Sequence, residues 1–130
     1  MTDPRLGLTV THRRYVPYAH AHYGGSLVDG AYTLGMFGDV ATELSIRTDG
    51  DEGLLAGYSE VRFLGPVRAG DVLEATVEVV RIGRRSRELR CTARVVARSE
   101  PERGPSAARV LEPALPVVEA TATLVVPTAG

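Results

Sequence analysis

Alternating apolar and polar side chains predict that most of this chain forms β-strands. Patterns with a period of two residues cover residues 6–16, 54–64, 72–82, 86–98 and 117–126, which we interpret as five strands. The short glycine-containing link at residues 83–85 predicts a hairpin between the third and fourth strands. Residues 99–116 contain four prolines and several charged side chains, and they predict an irregular excursion before the last strand.

One segment follows a helical pattern instead. Ser26 and Asp29 precede an apolar run in the arrangement of a capping box, which predicts a helix that begins at Ser26 and ends near residue 46 or 47. Apolar side chains lie on nearly every side of this helix, a pattern typical of a buried helix. A glycine inside a helix costs about 1 kcal/mol, which indicates close approach by another backbone or by a ligand. The helix holds three: Gly30, Gly35 and Gly38.

The order of these elements predicts an α+β fold, with a five-stranded antiparallel sheet wrapped around one long central helix. The chain has 130 residues, so we expect a single domain that spans residues 1–130. A single sheet and helix leave one sheet edge unpaired and the outer face of the sheet exposed. We therefore expect a dimer.

Composition excludes several classes of function. The net charge is -1, so no positive field attracts nucleic acid. All basic side chains are arginines, and the absence of lysine excludes Schiff-base chemistry. The lone Cys91 excludes an internal disulfide, and its apolar neighbours indicate a buried side chain. Neither an apolar leader nor a run long enough to cross a membrane is present, so we expect a cytoplasmic protein without a membrane partner.

Several motifs carry a resemblance to known proteins. The turn at residues 63–71, Phe-Leu-Gly-Pro-Val-Arg-Ala-Gly-Asp, resembles that of hot-dog-fold proteins, which act on acyl thioesters of coenzyme A or acyl carrier protein. Residues 21–31, 37–44, 49–54 and 120–127 resemble more closely the 3-aminobutyryl-CoA ammonia-lyase family. The resemblance covers residues 19–127. It departs from the family pattern at His20, where the family has aspartate, and at Ser26, where it has asparagine.

The resemblance implies a carbon–nitrogen lyase that reversibly eliminates ammonia from a β-aminoacyl-CoA such as 3-aminobutyryl-CoA to give crotonyl-CoA. Coenzyme A then enters as part of the substrate, with no separate cofactor, and the protein forms a homodimer, tetramer or hexamer. The alternatives are a hot-dog acyl-CoA thioesterase, an enzyme that adds an amine to an enoyl thioester of coenzyme A or a carrier protein, and a non-catalytic thioester-binding protein.

The loop before the predicted helix suits a thioester site. Elimination of ammonia needs a base for the α-proton, donors for the developing enolate oxygen and an acid for the amine. Gly24 and Gly25 would let a thioester carbonyl approach the helix N-terminus, unless they only form the turn. His22, beside Tyr23, is a candidate base or proton shuttle, and His20 is a weaker one. The alternative for His22 is a loop residue that orders the turn.

Three carboxylates fall within roughly 80° of one another on the predicted helix: Asp29, Asp39 and Glu43. Such a stripe on an apolar helix is costly unless it is paired or functional, and we place Asp29 and Glu43 ahead of Asp39 as proton-transfer groups. Each has an alternative role, since Asp29 could cap the helix, Asp39 could contact a partner subunit and Glu43 could pair with Arg47.

Two further charged segments are candidates for binding. The hairpin residues Arg84, Arg85 and Arg87 would suit the phosphates of coenzyme A, although a solvated basic hairpin is the alternative. Residues 49–53 resemble part of a calcium loop, but they lack its length and its downstream glutamate. We interpret them as a turn and expect no metal site.

Overall fold

The computed structural model describes residues 2–129 and contains one sheet and one long helix. The elements are β1 (Thr9–Tyr15), α1 (Gly30–Asp49), β2 (Leu54–Phe63), β3 (Val72–Ile82), β4 (Ser86–Ser99) and β5 (Ala108–Val125). Two single-turn 3-10 helices, Tyr18–His20 and Gly24–Ser26, lie between β1 and α1. Within residues 2–129, no helix is long and apolar enough to cross a membrane.

All neighbouring strands are antiparallel, in the order β1-β3-β4-β5-β2. The core forms where alternate side chains of β3, β4 and β5 meet one face of α1, because a strand directs every second residue to the same side. The helix contributes Met36, Phe37, Val40, Ala41 and Leu44 to this core. Cys91 is buried there, and burial raises the pKa of its thiol to about 12. The predicted fold, the hairpin and the buried cysteine are confirmed.

The helix begins later than the sequence predicts. Its N-cap is Asp29, whose carboxylate accepts a hydrogen bond from the Tyr32 N–H at 3.2 Å. Ser26 takes no part in capping because its backbone is left-handed, with φ of +62°. At the other end the helix continues to Asp49, where Gly50, with φ of +64°, terminates it. The capping-box prediction is therefore wrong, although it names the residue that caps the helix.

Burial of the helix is one-sided in the single chain. Met36 and Phe37 are buried, whereas Ala31 and Gly35 are exposed. Of the three helix glycines, only Gly30 meets its own chain, because a Cβ there would lie 2.6 Å from Cε1 of Phe63. The prediction of a helix buried all round is thus wrong for one protomer.

The strand β5 also begins earlier than expected. Residues 108–116 were expected in an irregular excursion, but they pair with the end of β4, as in Ser99 with Ala108 and Arg94 with Pro116. Strand β2 pairs only with the later part of β5, from Val118 onward. The earlier part is therefore a sheet edge, where the missing N–H of proline is tolerated.

Candidate active site

The loop that precedes α1 is held against the turn between β2 and β3. The Ala69 N–H donates to the Ser26 carbonyl at 2.8 Å, and the Val28 N–H donates to the Val67 carbonyl at 3.0 Å. Gly25 has φ of +70°, a left-handed conformation that favours glycine. These backbone contacts fix the histidine–glycine loop beside the start of the helix.

A cavity of about 470 Å³ opens at the start of α1, between the helix and the β2–β3 turn. Its walls combine apolar and polar groups, and Val28, Phe63 and Val67 are among the apolar ones. Polar side chains enter from α1: Asp29 at the N-cap and Thr33 one turn further along. The N–H groups that open a helix have no intrahelical acceptors, so the same place offers hydrogen-bond donors.

Of the predicted loop residues, Tyr23 lines this cavity and His22 lies beside Tyr23. Tyr23 lines the cavity and is exposed, and its ring meets that of His22 edge-on at 4.7 Å between centroids. The backbone N–H groups of both residues donate to the Leu27 carbonyl, which closes the turn. His20 lies apart from the cavity lining, and its Nδ1 is 3.0 Å from the hydroxyl of Tyr32.

The three helix carboxylates do not meet at one site within the chain. Asp39 and Glu43 lie about 15 Å and about 21 Å along the helix from Asp29, at 1.5 Å per residue. Both face β1, where Asp39 pairs with Arg14 at 2.9 Å and Glu43 pairs with His12 at 2.8 Å. His12 and Arg14 are two residues apart and therefore lie on one face of β1, while Asp39 and Glu43 are one turn apart on α1. The two pairs therefore lie side by side and form a polar seam between β1 and α1.

Glu43 is also bound by Arg47, one turn further along, at 2.8 Å. The hydrogen bonds from Arg47 and then from His12 lower the pKa of the Glu43 carboxyl. A lowered pKa weakens a carboxylate as a general base at neutral pH. The single chain therefore favours the ion-pair role for Glu43 and leaves Asp29 as the carboxylate at the cavity.

The arginine cluster divides into two environments. Arg84 and Arg85 are exposed on the β3–β4 hairpin, whereas Arg87 is only 3% exposed and binds Asp49 at 2.9 Å. Asp49 is the last residue of α1, so the hairpin lies at the opposite end of the helix from Asp29. The expectation that Arg87 binds phosphate needs correction, because its guanidinium is buried and already paired.

Sequence reasoning gave no role to two residues that the structure brings to this region. Thr33 lines the cavity one turn beyond Asp29, a spacing of four residues that places both side chains on one helix face. Arg68 lies beside Gly25 and Ser26 in a second cavity of about 250 Å³. Its position depends on the pairing of Leu27 with Arg68, a long-range contact that local sequence patterns do not reveal.

Of the predicted turn, residues 50–53 connect α1 to β2, whereas Asp49 still belongs to the helix. The Asp51 carboxylate accepts a hydrogen bond from the Gly53 N–H at 2.7 Å and one from the Thr128 hydroxyl at 2.6 Å. Across residues 2–129, no three His, Cys, Asp or Glu side chains gather into a metal-binding cluster.

Comparisons with known proteins agree with this fold. The sequence profile of the thioesterase superfamily matches residues 25–101. The chain is 49% identical over 107 residues to the 3-aminobutyryl-CoA ammonia lyase of Acetoanaerobium sticklandii, which covers 82% of this chain and 85% of that protein. The structure of the β-alanyl-CoA:ammonia lyase from Clostridium propionicum superposes with a TM-score of 0.89 at 32% identity, over 94% of this chain and 87% of that one.

A more distant structure shares the fold alone. A hexameric hotdog fold thioesterase of Campylobacter jejuni superposes with a TM-score of 0.71 at 16% identity, over 91% of this chain and 82% of that one. A sheet wrapped around one helix, together with the profile match, defines the class as the thioesterase superfamily with its hot-dog fold. Within that superfamily, the chain belongs to the family of the Acetoanaerobium ammonia lyase. The resemblance predicted from the motifs is confirmed.

Proposed function

We propose that this protein reversibly eliminates ammonia from a β-aminoacyl-CoA such as 3-aminobutyryl-CoA, giving crotonyl-CoA. The observation that carries the proposal is the 49% identity to a 3-aminobutyryl-CoA ammonia lyase over most of both chains. The carboxylate of Asp29 and the hydroxyl of Thr33, which line the cavity at the start of α1, support the proposal. Coenzyme A enters as part of the substrate, and acid–base chemistry requires no further cofactor.

Asp29 is the proposed base. Its carboxylate takes the proton from the α-carbon, the electron pair of that C–H bond forms the double bond, and the C–N bond to the β-carbon breaks to release ammonia. Negative charge develops on the thioester oxygen during this step, and helix N–H groups beside the cavity stabilise it. His22 lies next to the cavity-lining Tyr23 and is the proposed proton shuttle towards solvent.

The phosphates of coenzyme A would bind basic groups near this loop. Arg68 and Arg98 line the second cavity on the other side of the Gly24–Ser26 turn. Arg98 is held by the buried Asp71 at 2.8 Å, whereas the Arg68 guanidinium has no hydrogen-bond partner among residues 2–129. Within one chain, Arg68 is therefore better placed than the hairpin pair Arg84 and Arg85 to bind a phosphate of a substrate whose acyl end lies beside Asp29.

We also propose that the functional form is a homodimer. Tetramers or hexamers would be assembled from copies of this dimer. Strand β2 is a sheet edge, and four large apolar side chains in and beside it are exposed: Leu54, Leu55, Phe63 and Leu64. The adjoining side of α1 has open space at Gly38. An exposed edge with apolar neighbours favours pairing with another chain, and a second copy would cover both.

One assay tests the reaction. Crotonyl-CoA and ammonium are mixed with the protein, and the loss of enoyl absorbance and the release of free thiol are followed separately. Loss of enoyl absorbance without release of thiol means that ammonia adds to the double bond. This addition is the reverse of the elimination and supports the lyase. Thiol release alone would instead support the thioesterase, an activity that the superfamily's name and the Campylobacter structure make the second candidate.

A further inference from the structure

Thr33 has an unusual environment for a helical threonine. The residue is 1% exposed, and its hydroxyl oxygen has no hydrogen-bond partner among residues 2–129. A threonine inside a helix ordinarily bonds the carbonyl four residues earlier. Thr42 of the same helix does so, because its hydroxyl donates to the Gly38 carbonyl at 2.9 Å.

An unpaired buried hydroxyl is costly, and few buried polar groups in folded proteins lack a partner. Thr33 lines the cavity at the start of α1. A group that enters this cavity would therefore lie beside a desolvated hydroxyl that has no partner among residues 2–129. The position indicates a ligand contact rather than a packing role.

The neighbouring groups restrict what that ligand is. Asp29 precedes Thr33 by four residues and lines the same cavity, so a carboxylate and a hydroxyl project from one helix face. Much of the remaining wall is apolar, with Val28, Phe63 and Val67. A cationic ammonium group in such a cavity needs a counter-charge and hydrogen-bond acceptors, and Asp29 and Thr33 supply them.

We infer that the Thr33 hydroxyl accepts a hydrogen bond from the substrate's β-ammonium group and so selects amino thioesters over other acyl thioesters. The inference rests on the proposed function and deepens it. The reacting carbons are adjacent, so a base on the α-proton and an acceptor on the β-nitrogen must be close neighbours. Side chains four residues apart on a helix lie about 5–6 Å apart and meet that requirement. Thr33 positions and selects the substrate, and it transfers no proton.

The test compares Thr33→Val with wild type on two ligands. Valine keeps the shape of threonine and removes the hydroxyl alone. We expect the KM for 3-aminobutyryl-CoA to rise about tenfold or more, the effect of one lost hydrogen bond to a charged group. The inhibition constant of butyryl-CoA, which has no amine, should stay within about twofold. Thr33→Ser keeps a hydroxyl and should restore most of the selectivity.

Thr42→Val is the matched control, since it also removes a helix hydroxyl, but one that is paired away from the cavity. It should leave both constants unchanged. Thermal unfolding separates the two variants further, because Thr33→Val removes an unpaired group and should not lower Tm, whereas Thr42→Val loses a hydrogen bond.

Two results would overturn the inference. An equal loss for both ligands would mean that the hydroxyl contacts the thioester instead of the amine, and no change for either would mean that it only fills space. If wild type eliminates no ammonia, the proposed reaction fails. Dissociation constants of the two thioesters, measured by calorimetry, then decide the role of Thr33 by the same comparison.

Discussion

One buried charge, the guanidinium of Arg87, connects three parts of the chain. The Arg87 guanidinium, 3% exposed, is held by both carboxylate oxygens of Asp49 at 2.9 and 3.2 Å. Arg5 binds the same carboxylate at 2.6 Å. This cluster ties the N-terminal segment, the end of α1 and the start of β4 together. A buried cation keeps its place only while its partners remain.

Asp49→Asn should therefore destabilise the protein strongly. The substitution leaves the Arg87 guanidinium buried without a counter-ion, a change that costs roughly 3–5 kcal/mol. Denaturant unfolding followed by circular dichroism measures the loss. Glu119→Gln is the control, because its ion pair with Arg62, at 3.7 Å, is exposed and should contribute less than about 1 kcal/mol. Equal stability of the two variants would contradict the importance of burial.

The two edge strands of the sheet, β1 and β2, differ in what covers them. Strand β1 is joined to α1 by the pairs of His12 with Glu43 and Arg14 with Asp39. Strand β2 carries exposed apolar side chains and makes few ion pairs, so it is the edge at which we place a second copy.

Leu54→Asp should convert the proposed dimer into a monomer. Leu54 is 64% exposed on β2, and a charge there would be buried without a partner in a dimer formed through this edge. Sedimentation velocity measures the change in mass. Val110→Asp is the matched control, since Val110 is 66% exposed on the free part of β5 and should leave the dimer intact. A Leu54→Asp protein that stays dimeric would exclude β2 as the interface.

Local patterns predict the elements of this chain better than their limits. The alternation in β3 predicts both of its bounds, since every second residue from Leu73 to Val79 packs against α1. The helix start is misplaced because Leu27 and Val28 pair with the distant residues 67 and 68, which holds them extended. The prolines of residues 108–116 indicate irregular backbone, but at an uncovered sheet edge they are compatible with a strand.

The candidate site was predictable only where one local motif forms it. Asp29, Tyr23 and the two glycines fall close together because they are adjacent in sequence. Helical projection placed Asp29 and Glu43 on one face, but it neglects their separation of about 21 Å along the axis. Thr33 was missed because its significance depends on burial and on the absence of a partner among the described residues, neither of which sequence displays.

At the scale of the whole molecule, ion pairs should set the acid limit of stability. Arg87 lowers the pKa of Asp49, and Arg13, followed by Arg94, lowers the pKa of Glu74. A carboxyl whose pKa is lower when folded stabilises the protein above its unfolded pKa, about 4, and this contribution is lost as pH falls through the folded value.

We therefore expect Tm to be nearly constant from neutral pH to about pH 5 and to fall steeply below about pH 4. Differential scanning calorimetry at a series of pH values measures this profile. The Asp49→Asn variant should lose less stability over the acid range than wild type does, because one titrating group is missing. A main loss of stability between pH 5 and pH 7 would point to histidines and contradict the account.

Asp29, at the start of α1, is the proposed base in ammonia elimination, and the elimination rate of Asp29→Asn tests this role. Asparagine caps helices as well as aspartate does, so the variant should fold with nearly unchanged Tm. Glu43→Gln is the matched control, because it removes a carboxylate from the same helix face far from the cavity.

Elimination of ammonia from 3-aminobutyryl-CoA is followed by the appearance of enoyl absorbance at saturating substrate. This role of Asp29 predicts that kcat falls at least about a hundredfold in Asp29→Asn and stays within about twofold in Glu43→Gln. A folded Asp29→Asn protein that turns over at the wild-type rate would contradict it, as would loss of activity in Glu43→Gln alone.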